Sequence, residues 1–239
     1  MTATQVPLPG LASASVGLVA LGMVALDAGW RIIRHFTVMA HEGAHAATGT
    51  LLLGDFNGIV LNPDATGATG ITPRGGLTDV FTTFAGYAGP SIFGLGAAKL
   101  IELRYIVSVL WVTLFLLAVL LLCLRASFGR RTVVLAVGLV FLVGRYVPAP
   151  VQTVAAYAIA WLLLLSGVRR VIEVGMRSSD GEHLRKLTHL PQFLWFLIWL
   201  ASTLAAVAAG GKMLVMPNQL SLTGQSIHLV IRDFHSAWP

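Results

Sequence analysis

Apolar residues along this chain run in long blocks separated by short polar loops. A helix needs about 20 predominantly apolar residues to cross the hydrocarbon core of a bilayer. Windows of that kind fall at 11–30, 33–53, 78–101, 105–124, 132–147, 151–168 and 193–210, the fifth being short. The pattern predicts an all-α polytopic membrane protein with about six to seven transmembrane helices. Between 54 and 76 it breaks into a glycine-rich stretch of turns and short strands. With no tandem repeat, low-complexity block or long linker, one multi-span domain over 1–210 and a short polar C-terminal tail over 211–239 are expected. In that tail the alternation Ser226-Ile227-His228-Leu229-Val230-Ile231 suggests a surface strand.

Composition agrees. The 239 residues are 56% hydrophobic and 11% charged, with mean hydropathy +0.80, against about 25% charged residues in soluble proteins. The net charge of +6 is scattered over inter-span loops without interleaved aromatics, which argues against nucleic acid and favours anionic lipid headgroups. The single cysteine, Cys123, excludes disulfides and cysteine-based metal sites within the chain. No Lys or Arg precedes Arg31, so the first apolar run is expected to be a retained span rather than a cleaved leader. A cytoplasmic N-terminus is expected, which makes the loops near 54–77, 125–131 and 169–192 cytoplasmic too. They hold Arg74, Arg125, Arg130, Arg131, Arg169, Arg170, Arg177, Arg185 and Lys186, a modest positive-inside bias.

Chemistry enters at His41-Glu42-Gly43-Ala44-His45, inside the second window. Residues four apart on a helix project only about 40° from each other, so His41 and His45 can offer two imidazole nitrogens to one tetrahedral metal. Zinc with three protein ligands keeps a position for water, and Glu42 is placed as the general base that takes that water's proton. For a third ligand, Asp180 in Arg177-Ser178-Ser179-Asp180-Gly181-Glu182-His183 follows the sixth window and returns to the side where the motif helix ends. A solvated helix cap explains Asp180 equally well. Glu182 and His183 share its segment, and Asp64, in Asn62-Pro63-Asp64, is a further candidate that also suits a simple turn.

Three stretches resemble the site-2 protease family of intramembrane zinc metallopeptidases, in particular its smaller bacterial members of the M50B-like group. They are His41 to Ala46 in an apolar helix, the segment 54–76 leading into Gly86-Tyr87-Ala88-Gly89-Pro90, and Ser179-Asp180 through Leu184, Leu187-Thr188 and Leu190-Pro191. The resemblance implies zinc held by His41 and His45, water activated by Glu42, a small membrane-associated β-hairpin after the motif helix, and an Asp beyond the Gly-Pro span that completes the metal site. Family members carry that Asp within a span, in Leu-Asp-Gly or Asn-Pro-Asp-Gly. Here Asp180-Gly181 follows Ser179 in a polar neighbourhood, and Asn62-Pro63-Asp64 imitates the family tripeptide earlier in the chain.

Gly86, Pro90 and Gly94 recur every four residues, a spacing that lets helices approach closely, and Ala40, Gly43, Ala44 and Ala47 make the motif helix an equally slim partner. Asp27, four residues before Arg31, suggests a local ion pair. The expected activity is a membrane-embedded Zn2+ endopeptidase acting on membrane-protein or peptide substrates, in a bacterial plasma membrane. An inactive metal-binding scaffold and a small transporter are the alternatives. The first would bind zinc without turnover, and the second would show flux independent of Glu42.

Overall fold

In the computed structural model, which describes residues 6–216, proline sets the start of three helices. Pro9, Pro148 and Pro191 precede α1 (Gly10–Ala25), α6 (Ala149–Val174) and α8 (Gln192–Val215). A residue that lacks an N–H gives up no helical hydrogen bond at such a position. Between them lie α2 (Asp27–Leu51), β1 (Asp55–Leu61), β2 (Gly67–Thr72), α3 (Leu77–Glu102), α4 (Ile106–Cys123), α5 (Ser127–Tyr146) and α7 (Ser179–Thr188). The last helix runs past 210, the boundary expected for the tail. His228, His235 and the expected strand at 226–231 lie outside the described residues.

The first two apolar windows do not form two antiparallel spans. Leu26 is extended and α1 meets α2 at 95°. Gly29 permits the bend, since a Cβ there would sit 2.7 Å from Met23 Cα. At the corner Arg169 of α6 donates to the Ala25 carbonyl (3.0 Å) and to Asp27 (3.2 Å), while Trp30 donates its indole N–H to Glu173 (2.9 Å). The expected Asp27–Arg31 pair is therefore replaced by Asp27–Arg169, because the guanidinium fork serves both the carbonyl freed by the bend and the carboxylate beside it. At its other end α1 lies against Val215, close to where the Leu8 N–H meets the Tyr157 hydroxyl (3.2 Å). So α1 starts beside the C-terminal end of α8 and finishes beside the C-terminal end of α6.

By length and composition four helices can cross a membrane, namely α4, α5, α6 and α8, or five if the bent α1–α2 pair counts as one span. That is fewer than the six to seven expected. One reason is the bend; the other is that threonine and glycine dilute the hydropathy of α3, which is nonetheless 26 residues long. α4 and α5 turn Phe115, Leu122, Leu135 and Leu139 outward, faces suited to acyl chains.

α3 is the hub, packed on α2, α6 and α8. Its far half joins Ile101 and Ala98 to Ile106, Tyr157, Ala160 and Leu164 in the main core. There Ser91 donates to the Leu164 carbonyl (3.1 Å) and Gly94 approaches Leu164 closely. β1 and β2 pair antiparallel, from Asp55↔Thr72 to Leu61↔Gly67, with an irregularity between Phe56 and Gly58. The connecting turn is closed by Asp64, which accepts from the Thr66 N–H and hydroxyl (3.1 and 2.7 Å). Ile59 and Leu61 anchor β1 in an apolar cluster with Val38 and Met39 of α2 and Leu120 and Leu124 near the end of α4.

A Cβ at Gly94 would stand 2.7 Å from the Leu164 backbone nitrogen, whereas one at Gly96 meets nothing within 4 Å. Gly94→Val should therefore lower stability by about 1–3 kcal/mol, and Gly96→Ala, inside a helix with open space around it, should not lower it. Thermal unfolding of the detergent-solubilised protein checks the pair.

Candidate metal centre

α2 carries His41, Glu42 and His45 through its buried middle; all three are less than a tenth exposed. The helical four-residue spacing brings the two imidazoles together, with Nε2 to Nε2 at 3.1 Å. His45 is oriented from α3, where the Thr82 carbonyl lies 2.7 Å from Nδ1. A carbonyl can only accept, so His45 carries its proton on Nδ1 and a neutral ring leaves the Nε2 lone pair free. His41 packs edge-on against the Tyr87 ring, centroids 4.6 Å apart.

Gly86 makes this possible. A Cβ there would overlap His45 Nε2 and Cε1 and lie 2.8 Å from His41 Cε1. One turn on, Gly89 lies against Ala44 and Ala40. The expected small-residue seam thus holds for Gly86 but not for Gly94, which faces α6, and Gly43 does not face a neighbouring element. Along α3 the close approach therefore passes from α2, at Gly86 and Gly89, to α6, at Gly94.

The third member comes from α7. Ser178 caps this helix by accepting from the Gly181 N–H (3.1 Å), and Gln192 of α8 donates to the Ser178 carbonyl (2.9 Å). Leu184, fully buried, inserts among Tyr87, Val171, Trp195 and Trp199. His183 reaches Asp79 on the first turn of α3 (3.0 and 3.1 Å). These ties turn Asp180, on the same face as His183 and Leu184, toward α2, so that its Oδ2 lies 3.4 Å from His41 Nε2 and 3.3 Å from His45 Nε2. Burial works to raise the Asp180 carboxyl, but the two imidazoles, when protonated at Nε2, outweigh it and hold the group below the usual carboxylate range.

Among the described residues, His41, His45 and Asp180 are the one group of three whose atoms converge closely enough to hold a metal ion. Their edges of 3.1, 3.3 and 3.4 Å match the spacing of about 3.3 Å between ligands set 2.0–2.1 Å from a tetrahedral zinc. The donor set fits as well. Asp180 Oδ2 is buried with no hydrogen-bond partner, as is His41 Nδ1, and two imidazoles with one carboxylate are a normal complement for zinc. The other candidates are engaged elsewhere. Arg185 grips Glu182 (2.8 and 2.7 Å) and pulls its carboxyl down to about 2. His183 pairs with Asp79, and Asp64 is held by Thr66, whose hydrogen bonds lower its carboxyl.

Glu42 Oε2 accepts from the Thr69 hydroxyl of β2 (2.7 Å), which also lies 3.0 Å from the Glu42 carbonyl. Thr69, Thr82 and Asp79 escaped the sequence analysis: Thr82 acts through its backbone, and nothing in the local pattern marks the other two.

The sequence model of the Peptidase M50B-like family matches residues 14–210, a range that includes every member of this cluster. No curated protein and no solved structure matches the chain significantly. With its several apolar helices, the family match makes this a multi-pass membrane protein.

Gly86→Ala should push the two imidazoles apart and weaken metal retention by roughly 10- to 100-fold, the range seen when the supports of metal ligands are disturbed. Competition against a chromophoric chelator measures it; unchanged affinity would show that Gly86 does not set the cluster.

Proposed function

Because the chain belongs to the Peptidase M50B-like family, we propose that it is a membrane-embedded zinc endopeptidase, with His41, His45 and Asp180 holding the metal and Glu42 as general base. The observation that carries this is the convergence of two imidazole nitrogens and a buried, unpartnered carboxylate oxygen one residue from a buried glutamate. Zinc, when bound, supplies Lewis acidity that acidifies water and polarises the scissile carbonyl. Glu42 then takes a proton from the attacking water as its oxygen bonds to the carbonyl carbon. The carbon–nitrogen bond breaks, and Glu42 returns the proton to the leaving amine.

The substrates in this reading are membrane proteins cleaved in or near the bilayer. A helical segment hides its carbonyls in its own hydrogen bonds and must first be extended. β2 pairs only with β1 among the described residues, so its second edge suits a locally unwound substrate strand.

The site end of the bundle, where α6 finishes and the hairpin and α7 sit, carries Arg74, Arg125, Arg130, Arg131, Arg169, Arg170, Arg177, Arg185 and Lys186. We place this end at the cytoplasmic face of a bacterial plasma membrane. The start of α1 then faces the opposite side. This placement takes the bent α1–α2 pair as one span and so differs from the cytoplasmic N-terminus expected from two spans.

In a purified preparation with a membrane-protein substrate, Glu42→Gln should reduce cleavage by at least about 10²-fold with zinc still bound. Asp180→Asn should lower zinc affinity as well as cleavage. Parent-level turnover in Glu42→Gln would sink the protease assignment. Sidedness is checked separately in a Cys123→Ser background. Val6→Cys should react with an impermeant maleimide in intact cells, and Lys186→Cys only after permeabilisation; the reverse pattern would invert the orientation.

A further inference from the structure

The contact between Glu42 and the hairpin joins residues 27 positions apart and involves two side-chain sites on β2. Strand alternation turns Gly67, Thr69 and Ile71 to the α2 side. Ile71 packs where Gly49 leaves room, Thr69 donates its hydroxyl to Glu42 Oε2 at 2.7 Å, and Gly67 lies against Oε1, where a Cβ would stand 2.6 Å away. One carboxylate oxygen is therefore tied, and the other faces the one residue type that adds no side chain.

We propose that Thr69 is the positioning residue for Glu42, and that Gly67 keeps the second oxygen clear for the water whose proton Glu42 takes. The inference rests on the metallopeptidase reading and deepens it. The terminal torsion of a glutamate is broad and roughly two-fold, so a carboxylate without a fixed donor turns freely. A threonine on a paired strand is stiff at χ1, since both substituents on Cβ must fit the pleat. Its hydroxyl suits a base that is alternately charged and protonated, for it donates to the carboxylate and can accept from the acid. The same contact has a consequence for substrate handling. The strand whose free edge suits the substrate is also the strand that aims the base, so a shift of β2 on binding changes the aim of Glu42 directly.

Thr69 could instead serve only as a β-former, and Thr69→Val separates the two roles. Valine keeps the shape and the strand preference but removes the hydroxyl; Thr69→Ser keeps the hydroxyl and removes the methyl. The full chain in detergent, loaded with zinc, is assayed as parent, Thr69→Val, Thr69→Ser and Glu42→Gln. The positioning role predicts that Thr69→Val lowers kcat by roughly 10- to 100-fold, the worth of a hydrogen bond to a charged group, with KM and zinc content unchanged. Thr69→Ser should stay near the parent. Binding of acetohydroxamate, which gives up its hydroxyl proton as it chelates zinc and so needs a base beside the metal, gives a readout without turnover; it should weaken in Thr69→Val and in Glu42→Gln but not in Thr69→Ser. A parent-like kcat in Thr69→Val, an equal fall in the valine and serine variants, or loss of zinc from Thr69→Val would each overturn the proposal. Inactive Glu42→Gln beside fully active Thr69→Val overturns this inference alone, whereas active Glu42→Gln overturns the protease reading beneath it.

Discussion

At Gly86 the backbone of α3 comes so near the imidazoles of His41 and His45 that no side chain fits between them, and most of the site follows from that approach. It brings the Thr82 carbonyl within 2.7 Å of His45 Nδ1, which fixes the tautomer and leaves the Nε2 lone pair free. It also sets Tyr87 edge-on to His41. A larger residue at 86 would separate the helices, and the carbonyl, the ring and the two imidazole nitrogens would lose register together, because they share one close approach.

The same end of α3 carries the dock for α7. Tyr87 and Phe84 join Trp195 and Trp199 in an aromatic cluster that receives Leu184, while Asp79 meets His183. Asp180 is thus held between two helices that it does not belong to. Its carboxylate is one-fifth exposed, and its Oδ2 lies within 3.4 Å of both imidazole nitrogens. The polar Ser-Asp-Gly neighbourhood is consistent with this arrangement: Ser178 caps the helix, and Gly181 leaves room for Gln192, the residue that ties α7 to α8.

The bend at Leu26 and the hairpin complete the enclosure of α2. Arg169, Asp27, Trp30 and Glu173 stabilise the corner from which α2 departs. β1 is sealed onto α2 by Ile59 and Leu61, with the Arg125 N–H bonded to the Ile59 carbonyl on its outer side (2.9 Å). β2 is left with an open edge above a buried glutamate. In the proposed reading, this layout puts the edge offered to a substrate strand and the general base at one strand–helix contact.

Apolar run lengths, the four-residue histidine spacing and the adjoining glutamate are local properties, and the sequence by itself determined from them a helical membrane protein with two imidazoles on one face of a helix. It also narrowed the third group to four residues, Asp180, Glu182, His183 and Asp64. Choosing among these depended on partners distant in the chain. Glu182 is taken by Arg185, His183 by Asp79 and Asp64 by its own turn, and the Leu184 anchor delivers Asp180. The span count failed for a similar reason. Hydropathy along 11–53 is nearly continuous, and what turns the chain at Leu26 is an arginine 143 residues away in number but adjacent in space. Sequence patterns record which residues share a face of one element. Which faces meet, and which buried polar atoms are left for a metal or a substrate, depends on packing between elements, and only the tertiary structure decided that.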